Sequence, residues 1–125
     1  MLKCSGMRIW WLVLALVLSV LLFTANYIAM VDYLYWRFVW IDVPIHFFGG
    51  LTIGVFVAAF LNAWRPRLFT LLITSALVGW ELFEYFFGIP REANYVFDTA
   101  LDVLMGTLGA VVVYLYARIS LWRSA

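Results

Sequence analysis

Four long apolar runs constrain this chain more than any other feature of its sequence. Each is about 20 residues long, which is the length that a helix needs to cross a hydrocarbon core of about 30 Å. Of the 125 residues, 67% are hydrophobic and 12% are charged, whereas soluble domains are about 45–50% apolar and about 25% charged. The sequence therefore predicts an all-α polytopic membrane protein, a single transmembrane domain over 1–125 with spans at about 9–27, 43–63, 68–87 and 97–116.

The charge and cysteine content exclude several other classes of protein. The net charge is +1 and there is no basic run, so nothing attracts a nucleic acid. Cys4 is the only cysteine, which excludes an internal disulfide and any site with several cysteine ligands. The expected non-protein partner is membrane lipid.

Basic residues near the ends of the spans predict the orientation of the chain, because such residues are retained in the cytoplasm. The side that holds both termini carries six of them and the opposite side carries two. We therefore expect both termini to be cytoplasmic, in a cell membrane and most readily a bacterial inner membrane. The two sets are Lys3, Arg8, Arg65, Arg67, Arg118 and Arg123 against Arg37 and Arg91.

Aromatic residues mark the predicted membrane interfaces, where a ring can be half hydrated. Residues 33–40, between the first two spans, read Tyr-Leu-Tyr-Trp-Arg-Phe-Val-Trp and are predicted to form an interfacial segment. On the side of the termini, four tryptophans are predicted to form a second aromatic belt: Trp10, Trp11, Trp64 and Trp122.

All acidic residues of the chain fall at the end of the predicted bundle that lies away from the termini. Residues three or four apart share one face of a helix, so each of three spans presents a pair of polar groups on one face: Asp42 with His46, Glu81 with Glu84, and Asp98 with Asp102. The remaining acids are Asp32 and Glu92.

The same helix faces continue with small residues, which let membrane helices approach closely. Gly50 and Gly54 follow His46, Gly106 and Ala110 follow Asp102, and Thr74 is predicted to hold the matching position on the third span. We expect the second, third and fourth spans to pack together with their acids facing one another, while the first span covers a flank.

Carboxylates buried this close together need compensation, which shared protons, an arginine or a bound cation can supply. One imidazole with several carboxylates suits a divalent cation such as Zn, Mn or Mg. The predicted ligands are His46, Asp42, Glu81, Glu84 and Asp102.

Two other interpretations remain open at this stage. In the first, carboxylates with raised pKa values divide the acid and base roles of a reaction; the candidate catalytic residues are Asp42, His46, Glu81, Glu84, Asp98 and Asp102. In the second, Asp42 and Asp98 cap the starts of helices and His46 bonds one of them.

Three segments together resemble a known group of membrane proteins. They are Asp42-Val-Pro-Ile-His46-Phe-Phe-Gly-Gly50, Trp80-Glu81-Leu-Phe-Glu84-Tyr85, and 97–109 with Asp98, Asp102 and Gly106. The set resembles the YjdF-type inner-membrane proteins and, more distantly, the VanZ-like family, over about 41–110. The resemblance implies a multi-span protein with shared positions at Asp42, His46, Glu81, Glu84, Asp98 and Asp102. VanZ-like members are associated with low-level teicoplanin resistance.

Three hypotheses for the function follow. The first is an enzyme that acts at the outer leaflet on a lipid or lipid-linked phosphate headgroup, with the polar cluster holding a cation or acting as acid and base and with Arg91 binding the substrate anion. The second is a proton- or cation-binding transporter subunit. The third is a structural accessory membrane protein. Whether the chain forms a homo-oligomer or binds another membrane protein is left open.

Overall fold

The computed structural model describes residues 2–61, 63–88 and 94–123, and these residues form helices and no strand. Four of the helices are long and apolar enough to cross a membrane, which confirms the predicted all-α, four-span membrane protein. The elements in chain order are α1 (Leu2–Val31), α2 (Leu34–Arg37), a 3-10 turn (Val39–Ile41), α3 (Asp42–Phe60), α4 (Pro66–Phe87) and α5 (Tyr95–Ser120).

The helix ends follow from a few residues with restricted or unusual backbone geometry. Pro66 is the first residue of α4, where its fixed φ fits the helix and its missing N–H would have had no partner. Gly88 ends α4 with φ 62°, a left-handed conformation that glycine adopts at little cost. Leu61 is extended (ψ 119°), so α3 ends three residues before the predicted boundary at 63. The other three helices extend a few residues beyond their predicted apolar runs.

The aromatic segment forms the connection between α1 and α3. Tyr33 has φ 56° and turns the chain out of α1, after which α2 and the 3-10 turn lead directly into Asp42. The rings of Tyr33, Trp36 and Trp40 are exposed. This arrangement agrees with a short segment that lies across the end of the bundle and spans nothing.

Close contact between the backbones of α3 and α5 forms the centre of the molecule. A Cβ on Gly50 would lie 1.8 Å from the carbonyl oxygen of Gly106, and one on Gly109 would lie 2.1 Å from that of Phe47. Backbone cannot move aside as a flexible side chain can, so larger residues do not fit there. We call Gly50, Gly54, Gly106 and Gly109 the glycine seam. It confirms the predicted close packing of the second and fourth spans.

The contact face of α4 differs from the prediction. Thr74 is exposed, and the buried positions are Ile73, Leu77 and Glu81, together with Phe69 one turn earlier. Viewed down the helix axis, Ile73, eight residues before Glu81, lies about 80° around the helix from Glu81. Thr74, seven residues before Glu81, lies about 20° away on the other side, so it is about 100° from Ile73. The Leu77 side chain fills the hollow over Gly106, where an added Cβ would lie 2.6 Å from its Cδ2. The prediction for Thr74 was therefore wrong, because large side chains meet glycine at this contact.

Two of the four tryptophans predicted for the aromatic belt are packed inside the protein instead. Trp122 donates a hydrogen bond from Nε1 to the carbonyl oxygen of Leu61 (3.2 Å), and Trp11 stacks on Tyr116 with ring centroids 6.0 Å apart. Both tryptophans are buried, whereas Trp10 and Trp64 are exposed. Trp122 therefore connects the end of α5 to the end of α3, and Trp11 packs α1 against α5. Helix α1 also packs along α3, as the predicted flanking helix.

Candidate metal centre at one end of the bundle

The start of α3, the end of α4 and the start of α5 meet at the end of the bundle that lies away from the chain termini. Three helices bring ionisable side chains together there: α3 supplies two, α4 supplies two and α5 supplies one. We call these five residues the polar layer: Asp42, His46, Glu81, Glu84 and Asp102.

His46 stands between two carboxylates from different helices. Its Nε2 lies 3.4 Å from Oδ1 of Asp42, one turn earlier on α3, and 3.6 Å from Oδ2 of Asp102 on α5. Both distances exceed the 2.7–3.2 Å that is typical of an N–H···O hydrogen bond. The predicted meeting of the second and fourth spans through these residues is confirmed, with the three ligand atoms within 4.8 Å of one another.

His46 also belongs to a second group, which it forms with the two glutamates of α4. One ligand atom from each of His46, Glu81 and Glu84 lies within 4.8 Å of the other two. The Glu81 side chain is buried, and Glu84 accepts a hydrogen bond from Nε1 of Trp80 at 2.8 Å. All three helices therefore converge on one imidazole.

Asp102 is the most deeply buried member of the polar layer. The residue is 3% exposed, and while Oδ2 faces His46, Oδ1 is buried without a hydrogen-bond partner among the described residues. A buried carboxylate oxygen with no partner costs about 1–3 kcal/mol, and more when it is charged. The Thr99 hydroxyl, one turn away on α5, is also buried.

The remaining predicted site residues have different outcomes. Asp98 is half buried one turn from Asp102 and belongs to neither group. Asp42 is the first residue of α3, and Ile41 holds the cap position, so Asp42 does not cap this helix. Asn94, and not Asp98, holds the cap position of α5. Arg91, the predicted anion ligand, and Glu92 lie outside the described residues.

Tyr35 is a site residue that the sequence did not single out. It is half buried, and its hydroxyl donates a hydrogen bond to Oδ1 of Asn26 on α1 at 2.5 Å. Burial raises the pKa of Tyr35 above its ordinary value, and the negative charges of Asp42, Glu84 and Asp102 raise it further. Tyr35 is therefore a protonated hydroxyl beside the polar layer. The one sequence signal for this pair was Asn26, an amide near the end of an apolar run.

The interior closes directly beyond the polar layer. Gly50 is one turn from His46, and Gly106 is one turn from Asp102, so the contact between these two glycines lies just below the two polar residues. Farther along, the buried side chains of the described residues are apolar, as at Val55 and Val113, except for Thr52, whose hydroxyl donates to the carbonyl oxygen of Phe48. The polar layer is therefore separated from the other end of the bundle by closely packed helices with a largely apolar interior.

The spacing of the first group suits a small divalent ion. Ligand atoms about 2.1 Å from a tetrahedral ion lie about 3.4 Å apart, close to the 3.4 and 3.6 Å that separate Nε2 of His46 from the two aspartate oxygens. A nitrogen with several carboxylate oxygens is a donor set for Zn or Mn, whereas Mg prefers oxygen alone. The second group, His46 with Glu81 and Glu84, offers the same kinds of donor atom within 4.8 Å of one another.

Comparisons with protein-family models, curated proteins and solved structures found no match for this chain. The resemblance to the YjdF-type and VanZ-like families therefore stays a prediction.

Proposed function

We propose that the protein is an integral membrane metalloenzyme that acts on a phosphate-bearing lipid headgroup. In this proposal, the polar layer holds a divalent cation, Zn or Mn in preference to Mg, at the depth of the headgroups. A cation held there would supply Lewis-acid chemistry, either by polarising a phosphoryl oxygen of the lipid or by activating a water molecule. A carboxylate that does not bind the ion accepts or returns the proton.

The observation that carries the proposal is the state of Asp102. The residue is 3% exposed, and its carboxylate faces His46 with one oxygen and leaves the other without a partner among the described residues. A cation bound by this side chain would offset the cost of burying it, as metals do for buried carboxylates. A proton shared with Asp42 is the simplest competing explanation, and it predicts that no metal binds.

A lipid substrate is supported by where the polar layer lies and by what surrounds it. The layer is at the end of long apolar helices, about the depth at which headgroups meet the hydrocarbon core. The described residues offer little structure outside those helices to bind a soluble substrate. The predicted orientation assigns this end to the outer leaflet. Arg91, which follows Gly88 by three residues in the sequence, is the proposed ligand for the phosphate.

The transporter hypothesis receives less support from the geometry. An ion that left the polar layer towards the termini would meet the glycine seam, where Gly50 and Gly106 are in backbone contact. Beyond the seam, it would meet a core of apolar side chains. Ion pathways through membrane proteins are lined by polar groups or water. A path within one copy of this chain would need the seam to open.

Metal content tests the first half of the proposal. The protein is purified in mild detergent through a tag without histidine, incubated with Zn, Mn or Mg, and freed of unbound metal. Asp102→Asn removes a ligand at constant size, and Asp32→Asn is the matched control because Asp32 is exposed and outside both groups. We expect near-stoichiometric metal in the wild type and in Asp32→Asn, and none in Asp102→Asn. Absence of metal from all three proteins contradicts the proposal.

Lipid analysis tests the second half. The same three proteins are placed in vesicles of a bacterial lipid extract with the bound metal, and lipids are compared by mass spectrometry before and after incubation. We expect one phosphate-bearing lipid to be converted by the wild type and by Asp32→Asn but not by Asp102→Asn. Bound metal without any conversion contradicts the enzyme and favours a cation-binding transporter subunit.

A further inference from the structure

An apolar groove of about 480 Å³ runs between α1 and α3. Its α1 wall extends from Leu18 to Ala29, and its α3 wall ends at Thr52. Thr52 is the one lining residue with a polar side chain, and its hydroxyl already donates to the carbonyl oxygen of Phe48 at 2.8 Å. An apolar occupant of the groove would therefore cover no side-chain polar group that lacks a hydrogen bond.

The dimensions of the groove fit a single hydrocarbon chain. From Leu18 to Ala29, α1 rises about 16 Å, and half of a hydrocarbon core is about 15 Å thick. An acyl or isoprenoid chain from one leaflet matches this length.

The groove adjoins the polar layer along α3. Ile41 and Ile45 line the groove, and the residues that directly follow them are Asp42 and His46. Consecutive residues are about 100° apart around a helix, so the apolar and polar faces of α3 are neighbours at one depth. At the same end, Leu34 lines the groove, and the next residue is Tyr35, whose pKa responds to the charges of the polar layer.

We infer that this groove holds one hydrocarbon chain of the lipid whose headgroup reaches the polar layer. As an assignment of substrate, the inference rests on the proposed function. A chain in the groove contacts protein on several sides, whereas a chain on a convex helix face contacts it on one, and such van der Waals packing decides association inside a bilayer. The substrate class is thus a membrane lipid presented with its chain still in the leaflet, not a headgroup released into water.

The test uses a lipid that marks the residues its chain touches. The full chain is placed in vesicles of phosphatidylethanolamine and phosphatidylglycerol, in which a small fraction of the phosphatidylglycerol carries a diazirine on one acyl chain. After irradiation without added metal, labelled residues are mapped by mass spectrometry. We expect more label on groove residues such as Leu22 and Phe48 than on Leu16 and Val20, which are exposed but do not line the groove.

Two tryptophan variants give the matched comparison. Ala25→Trp fills the groove from a lining position, and Ala100→Trp adds the same bulk at an exposed position of α5. The excess label is expected to be lost in Ala25→Trp and kept in Ala100→Trp. Uniform label over all exposed faces, or an unchanged excess in Ala25→Trp, overturns the inference.

The labelling needs neither a bound metal nor turnover, so it separates the two proposals. Uniform label in a protein that binds metal and converts lipid overturns the groove and leaves the proposed function. Groove-specific label in a protein that binds no metal supports the groove as a lipid site and removes its link to catalysis.

Discussion

The glycine seam and the polar layer lie on the same two helices, one turn apart, and they bury opposite kinds of surface. In the seam, Gly50 and Gly106 bring backbone against backbone with no side chain between them. In the layer, His46 and Asp102 bring ionisable groups within 3.6 Å. The comparison shows that the seam determines the geometry of the layer, because helices this close force residues one turn away to face each other. Neither region needs a loop to position it.

The largest expected effect comes from Gly50→Ala, which breaks the seam. Its Cβ would lie 1.8 Å from the carbonyl oxygen of Gly106, so α3 and α5 must separate. Overpacking in a core costs about 1–3 kcal/mol, and more where the obstacle is rigid backbone, so we expect a loss of at least about 3 kcal/mol in the free energy of unfolding, measured by SDS titration.

Gly49→Ala is the control for that variant, on the same helix and one residue away. Nothing lies within 4 Å of a Cβ added there, and alanine favours a helix over glycine by about 0.5–1 kcal/mol. A stability equal to or slightly above the wild type is expected. Equal losses in both variants would contradict the backbone contact between α3 and α5.

The packing of α4, the third span, is tested separately, because α4 contacts the glycine seam through the side chain of Leu77. Leu77 is buried and lies over Gly106, so Leu77→Ala leaves a cavity, and we expect a loss of about 3 kcal/mol. Leu71 is 62% exposed, and Leu71→Ala is expected to change the free energy of unfolding by less than about 0.5 kcal/mol. A comparable loss in the two variants would show that α4 is not docked as described.

Removal of metal examines the polar layer by itself. A ligand present at 100 times its Kd stabilises the folded state by about 2.7 kcal/mol, so a chelator should lower the free energy of unfolding of the metal-loaded wild type by about that amount. Asp102→Asn should not respond to the chelator, and Asp32→Asn should respond as the wild type does. The proposal is contradicted if the chelator changes all three proteins alike or none of them.

The smallest expected effect concerns Tyr35. Tyr35→Phe removes the hydrogen bond to Asn26, at a cost of about 1 kcal/mol, and Tyr33→Phe is the control because Tyr33 is exposed. Burial raises the pKa of Tyr35, so as pH rises above about 10 the unfolded chain ionises first and the wild type loses stability. The difference between wild type and Tyr35→Phe should therefore shrink at high pH, as followed by SDS titration. A difference that grows with pH would contradict a buried, protonated Tyr35.

Sequence reasoning predicted the features that depend on one helix at a time. Apolar run length predicts the four spans, and the spacing of Asp42 with His46 and of Glu81 with Glu84 predicts a shared polar face. The pattern of small residues also predicted the seam between α3 and α5, because small residues at this spacing on two helices allow their backbones to come into close contact.

The features that depend on how helices cross could not be read in the same way. The spacing of Thr74 from Glu81 predicts that it lies on the packing face, but the buried face of α4 follows Leu77 and Ile73 instead. Trp11 and Trp122 resemble interfacial anchors in sequence, and only the packing around them shows that they are buried. Tyr35 lies beside the polar layer because the chain turns at Tyr33, which has φ 56°. Periodicity in the sequence does not reveal such a turn.

Electron paramagnetic resonance of bound Mn²⁺ tests the central claim most directly, because His46 is the only histidine of the chain. The protein is loaded with Mn²⁺ after purification through a tag without histidine, and electron spin echo modulation reports whether an imidazole nitrogen binds the metal. Modulation from one imidazole nitrogen, lost in His46→Ala and kept in Asp32→Asn, is the predicted result. Bound Mn²⁺ without nitrogen modulation, or no bound Mn²⁺, would contradict the polar layer as a metal centre.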